Sequence, residues 1–339
     1  MIDLKDLSYS ELEGFLKELG EPKFRAGQIF SWLHKGVVSF DEMTDISKKT
    51  AQKLSEKCFI SKLEVREKYV SKIDGTIKYL FSLEDGNCIE SVVMRYKHGL
   101  SLCISSQVGC RMGCGFCAST IGGLYRNLTA GEILNQVVFA QKDTGERISN
   151  IVMMGIGEPL DNYDNVIKFL HNINNPKGLN IGYRHISLST CGRVDGIYKL
   201  AEEEMPITLS VSLHAPNNKI RDTIMPINKK YPVEVLIKAC RDYIKKTSRR
   251  ISFEYSLIHG VNDSMKEAEE LAALLKGMLA HVNLIPVNHV EERDFHKGSR
   301  EEIMKFCKKL NDLGINATVR RELGSDISAS CGQLRKKVL

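Results

Sequence analysis

From residue 100 to residue 319 short apolar runs alternate with segments patterned as amphipathic helices, and this alternation narrows the fold more than any other feature of the chain. The runs are SLCISS, NIVMMG, HISLST, ITLSVSLH, ISFEYSLI, HVNLIP and NATVR. The helix-patterned segments that separate them fall at 130–143, 164–174, 194–204, 233–247, 264–278 and 300–313. Parallel strands need a crossover of helical length between them, so repeated βα units predict an α/β fold with a parallel sheet, doubly wound or closed into a barrel. In either form ligand sites lie at the C-terminal ends of the strands.

The residues ahead of this alternation are organised differently. Ser8-x-x-Glu11 is a capping-box pattern, Leu12, Phe15, Leu16 and Leu19 share one helical face, and Gly20 and Pro22 stop the helix. Ala26, Ile29, Phe30 and Leu33 mark a second helix, and a third is expected from about Asp45 through Leu54. Residues 1–60 are thus expected to form a helical docking head. Across 61–98 the runs VREKYVS, TIKYLFSL and CIESVVM, parted by Asp74-Gly75 and Asp85-Gly86, read as a small antiparallel sheet linking the head to a core at 99–322. A closing segment follows at 323–339.

Composition sets the class. A chain of 339 residues with 42% hydrophobic and 27% charged residues can bury a full core. The opening MIDLKDLSYSELEGF has neither a basic leader nor an apolar stretch, and no apolar run approaches membrane-spanning length, so a cytoplasmic protein without a membrane partner is expected. In that compartment the ten cysteines are expected to be thiols or metal ligands rather than disulfides. The net charge of +6 and the basic clusters at Lys229-Lys230, 245–250, Arg320-Arg321 and Arg335-Lys336-Lys337 suit a polyanionic partner, and equally suit solvated helix ends.

Directly after the first strand of the core comes QVGCRMGCGFC, a C-x-x-x-C-x-x-C arrangement in a loop loosened by Gly109, Gly113 and Gly115. A structural zinc site normally takes four protein ligands, and no fourth Cys or His stands at ribbon or finger spacing. Three thiolates from Cys110, Cys114 and Cys117 would instead leave one iron of a 4Fe-4S cluster open to a small ligand. At the next strand end, Gly155-Ile156-Gly157-Glu158-Pro159 lacks the third glycine of a dinucleotide fingerprint, and Glu158 would repel a pyrophosphate. A plain tight turn and a cofactor turn both fit it. Ser189, Ser212, Leu213, His214 and Asn288 also fall at strand ends, where each alone reads as a satisfied polar or packing residue of the rim.

The cysteine spacing, with Phe116 just before the third cysteine, resembles the radical S-adenosylmethionine (SAM) superfamily, which implies a partial or full (β/α) barrel holding one 4Fe-4S cluster on Cys110, Cys114 and Cys117. Gly157 and Glu158 would then face the ammonium group of SAM, with Ser189, Ser212, Leu213, His214 and Asn288 as further cofactor residues. GEPKFRAGQIFSWLHKG, SLCISSQVGC, GEPLDN, LSTCGRV, SVSLHAPN, MPIN and ISASCGQLR narrow the resemblance, over nearly the whole chain, to the RlmN family of RNA methyltransferases. Their Cfr relatives, which methylate carbon 8 of adenine, typically have Cys where Val108 stands and Ala where Pro159 stands. Two departures from the commoner RlmN pattern, Ile156 for Met and Ser330 for Ala, lie beside the key residues rather than on them.

What the resemblance implies is methylation of adenine carbon 2 in 23S rRNA and tRNA, with two SAM molecules per turnover and an external one-electron reductant such as flavodoxin or ferredoxin. A monomer is expected. Cys331 would carry the methyl group as S-methylcysteine, Cys103 would resolve the adduct through a transient disulfide with Cys331, and Glu90 would accept the ring proton. Without the resemblance, lone cysteines read as inert packing and a strand glutamate as solvent-facing. By alternation on its strand Cys103 shares a face with Ser101 and Ser105, which would point it to a polar lumen. Cys58, Cys88, Cys191, Cys240 and Cys307 match no role and read as structural. The rivals are Cfr-like carbon 8 methylation and a non-catalytic, zinc-containing RNA-binding protein.

Overall fold

The computed structural model describes residues 1–334, so Arg335-Lys336-Lys337 and the last part of the closing segment lie outside the described residues. The head runs through β1 (Ile2–Asp3), α1 (Tyr9–Glu18), α2 (Phe24–Lys35), α3 (Lys48–Lys57) and β2 (Cys58–Phe59), which pairs with β1. The capping box is present: the Glu11 amide donates to the Ser8 hydroxyl at 3.2 Å, and the Ser8 amide donates to the Glu11 carboxylate at 2.7 Å. α3 begins later than its apolar pattern suggested because Ser47, whose hydroxyl accepts the Thr50 amide, is the cap. Leu12, Leu16, Ile29, Phe30, Leu33 and Leu54 give the head a core of its own.

β3 (Glu64–Val70), β4 (Ile77–Ser82), β5 (Cys88–Tyr96) and β6 (Gly99–Cys103) form an antiparallel meander. β7 (Gln107–Gly109) and β8 (Leu124–Asn127) then bracket the three-cysteine loop as a two-stranded ribbon. The βα units follow: α4 (Ala130–Thr144), β9 (Ile148–Met153), α5 (Tyr163–Asn174), β10 (Ile186–Thr190), α6 (Val194–Glu202) and β11 (Thr208–Ser212). After them come α7 (Asn218–Ile224), α8 (Val233–Thr247), β12 (Ile251–Leu257), α9 (Met265–Leu275), β13 (Ala280–Pro286), α10 (Arg300–Asp312) and β14 (Ala317–Val319). Of these α7 has no expected counterpart, since a seven-residue helix offers too few turns for its periodicity to be read.

The sheet order is β14-β13-β12-β11-β10-β9-β6-β5-β4-β3. From β6 to β14 all neighbours are parallel, which makes the expected open barrel wall with its helices packed on the main core. The meander is no separate linking sheet, because β6 pairs with both β5 and β9 and the hydrogen bonding is continuous. Its two faces divide by alternation. Tyr79, Phe81, Ile89, Val93 and Leu102 enter the main core, whereas Val92, Met94 and Cys103 form a small cluster on the other face with Leu323, Ala329 and Leu334. Residues 323–334 therefore lie across that second face. Asp326 fastens them there, accepting from the Ser71 hydroxyl at 2.7 Å and the Lys72 amide at 3.0 Å.

The head is locked to α4 by buried polar contacts. Lys5 Nζ donates to the Ser61 carbonyl at 2.8 Å and to Asn135 Oδ1 at 2.7 Å, and the Gly131 amide donates to Asp6 at 2.8 Å. Among the described residues no helix is long and apolar enough to cross a membrane.

Burial brings the Lys5 ammonium down to about 8, against about 10.4 in an unfolded chain. Between those values the unfolded chain holds more protons than the folded one, so stability rises with pH through this window. Relative to a Lys5→Met variant, the parent chain is expected to gain up to about 3 kcal/mol from pH 8 to 10.4, measured by urea unfolding at each pH. Parallel pH profiles for the two chains would refute the buried charge.

Candidate active site

The cysteine loop is held at both ends of its course. Cys110 donates its amide to the Gly123 carbonyl at 3.0 Å, and Gly115 donates to the Ile224 carbonyl at the end of α7 at 2.8 Å. Cys110, Cys114 and Cys117 line one cavity of about 910 Å³ at the C-terminal ends of the parallel strands, together with Glu158, Ser189, Ser212, His214, Asn288 and Cys331. Burial pushes Cys110 up to about 12 and raises Cys114 and Cys117 as well, so these thiols resist ionising unless a cationic centre binds them. Among the described residues no three His, Cys, Asp or Glu side chains stand close enough to hold a single metal ion. Three soft thiols lining one cavity suit a multi-iron cluster, whose ligands bind separate irons and can leave one iron open.

Opposite the loop the GIGEP turn approaches the backbone that follows β6. A Cβ on Gly155 would lie 2.6 Å from the Ile104 carbonyl oxygen. One on Gly157, whose φ is +108°, would lie 2.6 Å from the Gln107 side chain, so both positions require glycine. The Glu158 amide donates to Gln107 Oε1 at 2.8 Å. The Glu158 carboxylate is buried and accepts the amides of Cys191 at 2.6 Å and Leu160 at 3.1 Å. Burial raises its pKa, and these amides and the Thr190 and Cys191 side chains oppose the rise. Cys191, expected to be merely structural, thus lies inside the cavity against Glu158.

His214 follows β11 in a left-handed conformation, φ +55°. Its Nδ1 accepts the Ser256 amide at 2.8 Å, which leaves the ring proton on Nε2. Burial takes the imidazole down to about 3, so it is neutral at physiological pH. Phe116 meets the ring edge-on, with centroids 4.7 Å apart. Leu213 does not join them: its side chain is in the main core, and only its backbone belongs to the rim. That rim is tied from beneath by the fully buried Arg221, which donates to the carbonyls of Leu213 at 3.0 Å, Cys191 at 2.8 Å and Ser212 at 3.1 Å. An arginine inside a polar-looking segment gave no sequence signal for this role.

The closing segment completes the site. Asn288 Nδ2 donates to the Cys331 carbonyl at 2.9 Å, the Ala118 amide to the Gly332 carbonyl at 2.8 Å, and the Ser119 hydroxyl to the Leu334 carbonyl at 2.6 Å. A second cavity is lined by Cys331, Cys103 and Arg320. Cys103 does share its face with Ser101; it packs there with Val92, Met94, Ala329 and Leu334, and the cavity it lines is mixed, with Asn288, Arg320, Arg321, Glu322 and Ser330 also in its wall. Burial pushes Cys103 up to about 12, the neighbouring Cys331 adds to that, and Arg320 pulls the other way. Arg320, grouped by sequence with surface cations, is therefore partly buried in the wall of the cavity that the two thiols share. Glu90 is also buried, 3.4 Å from Lys78 Nζ, and it lines a third, wider cleft with Gln333 and Ser328.

Residues 104–275 match the radical SAM superfamily, and residues 2–60 match the ribosomal RNA large subunit methyltransferase N-terminal domain. A protein of Alkaliphilus oremlandii (strain OhILAs) named "Probable dual-specificity RNA methyltransferase RlmN" is 59% identical, the alignment covering 100% of this chain and 98% of that protein. Its namesake from Clostridium tetani (strain Massachusetts / E88) is 57% identical over 99% of this chain and 97% of its own. The chain belongs to the RlmN family of radical SAM RNA methyltransferases. A radical SAM methyltransferase from Sphaerobacter thermophilus, known from a crystal structure, superposes with a TM-score of 0.94 at 46% identity, covering 98% of this chain and 99% of that one. As an RlmN-family enzyme the chain uses SAM and a 4Fe-4S cluster and acts on RNA. Membership also overturns the non-catalytic, zinc-binding reading.

Arg221→Met would strip three buried carbonyls under the cofactor cavity of their donor. Unfolding free energy in denaturant is expected to fall by about 3 kcal/mol, and an unchanged midpoint would contradict the strut.

Proposed function

We propose that this RlmN-family enzyme methylates carbon 2 of a specific adenine in 23S rRNA, and of an anticodon-loop adenine in tRNA, through a methyl group carried on Cys331. The observation that supports this most is the shared cavity of Cys103 and Cys331, two thiols from opposite ends of the core brought together beside the cofactor cavity. Carbon 2 lies between two ring nitrogens and is too electron-poor to attack a sulfonium methyl, so a polar transfer straight to the base fails.

Cys110, Cys114 and Cys117 would hold the 4Fe-4S cluster, with Gly157 and Glu158 at the ammonium end of SAM and Ser189, Ser212, His214, Asn288 and the Leu213 backbone along the rest. When bound, cluster and cofactor supply reductive release of a 5′-deoxyadenosyl radical able to take a hydrogen atom. Cys331, as thiolate, first accepts a methyl group by displacement from one SAM, which makes the demand two cofactor molecules per turnover. Once that methyl loses hydrogen, its carbon adds to the base and leaves RNA tethered to Cys331. The adduct gives back the one electron that the donor supplied and Glu90 accepts the ring proton; Cys103 then attacks the Cys331 sulfur, so that the S–S bond forms as the S–CH2 bond breaks, and the thiol proton of Cys103 ends on the released carbon to complete the methyl group. Arg320 stands where it favours thiolate character in Cys103.

The head and the exposed cations Lys229, Lys230, Lys245, Lys246 and Arg250 suit an RNA backbone. A flavodoxin- or ferredoxin-type donor would supply the electron, and we place the enzyme in the cytoplasm as a monomer. The consecutive roles of the two cysteines are tested by their different failures. Cys103→Ala should accumulate a covalent protein–RNA species, visible as a retarded band on a denaturing gel, and that band should vanish when Cys331 is also replaced. Normal turnover by Cys103→Ala, or a crosslink that survives loss of Cys331, would overturn the assignment.

A further inference from the structure

Lys78 has no part in the steps above, yet it is only 7% exposed in the wall of the cleft that contains Glu90. The sheet register puts it there. Lys78 is opposite Val92 on β5, so Glu90, two residues along, is its diagonal neighbour on the same face. The same row runs from Tyr69 through Lys78 and Val92 to Cys103. Lys78 Nζ lies 3.4 Å from Glu90 Oε1, donates to the Ser328 carbonyl at 3.2 Å, and stands 5.2 Å from the centre of the Tyr69 ring.

Burying an ammonium is costly unless each of its donors finds a partner, and here the partners come from two functional elements. One is the carboxylate of the proposed proton acceptor. The other is the backbone of the segment that carries Cys331, at a residue held in the left-handed region, φ +50°. A strut serving the sheet alone would need neither. We infer that Lys78 is a positioning residue that fixes the Glu90 carboxylate relative to the Cys331 segment, so that the acceptor stands beside the ring carbon tethered to that cysteine. This rests on the roles proposed for Glu90 and Cys331. The cleft, about 1460 Å³ with its mouth, is large enough for a nucleotide to enter between Glu90 and the segment that carries Cys331, which lines it through Ser325, Ser328 and Gln333.

The test uses the cluster-loaded enzyme with SAM, reductant and substrate RNA, and reads Cys331 S-methylation by protein mass spectrometry, 5′-deoxyadenosine release, RNA methylation and covalent adduct. Lys78→Met is expected to keep the first two within about twofold of the parent. RNA methylation should fall about a hundredfold and adduct should build up, as in Glu90→Gln. Lys78→Arg, which keeps a cation in reach of the carboxylate, should recover to within about tenfold, and Lys78→Met/Glu90→Gln should be no slower than Glu90→Gln alone. Loss of Cys331 methylation in both Lys78 variants would reduce the residue to a fold strut and overturn the inference. Parental turnover by Lys78→Met beside a slow Glu90→Gln would overturn it and leave the acceptor standing. Parental turnover by Glu90→Gln would overturn both.

Discussion

The antiparallel pairing of β5 with β6 is the constraint on which the rest of the site depends. A radical SAM barrel needs only its parallel strands to present ligands at their C-terminal ends. By continuing the same sheet backwards through β5, β4 and β3, this chain gains a second face whose row of side chains holds Cys103 in register with Lys78 and Tyr69. That face would be an exposed apolar strip at Val92 and Met94 if nothing covered it. Residues 323–334 cover it, and the covering segment brings Cys331 to the border between the cofactor cavity and the cavity of Cys103, while Ser328 and Gln333 of the same segment line the cleft of Glu90. Packing of an apolar face and delivery of a reactive sulfur are one event.

Charges inside the site are placed by hydrogen bonding rather than by solvent. Glu158 takes backbone amides, and Arg221 satisfies three strand-end carbonyls. Each would be expensive alone in a low-dielectric interior, and each is tolerable because its partners are fixed by neighbouring backbone. The closing segment is anchored along its length, by Asp74, Ser71 and Lys72 before Cys331, by Asn288 at Cys331 itself and by Ala118 and Ser119 after it.

The βα alternation was legible because each parallel strand is a short apolar run and most of the helices are long enough to show their period. Cys110, Cys114 and Cys117 were legible because their ligand spacing is local, and Gly157 and Glu158 because the turn is. What could not be read was anything set by register between distant strands. Nothing in the sequence places Lys78 diagonally to Glu90, brings Arg320 into the cavity shared by Cys103 and Cys331, or turns Leu213 into the core while its neighbours Ser212 and His214 face the cavity. The continuity of the meander with the barrel was hidden for the same reason, since a hairpin signal reports a pair of strands and not which sheet they join.

The central claim, that a hydrogen atom leaves the methyl group while it is on the protein, is tested most directly with SAM carrying a trideuterated methyl group. After the enzyme has been allowed to turn over, the methylated adenosine and the released 5′-deoxyadenosine are weighed by mass spectrometry. Transfer through Cys331 predicts two deuterium atoms in the carbon 2 methyl group and the third in 5′-deoxyadenosine. An intact trideuteromethyl group on the base, with no deuterium in 5′-deoxyadenosine, would contradict it.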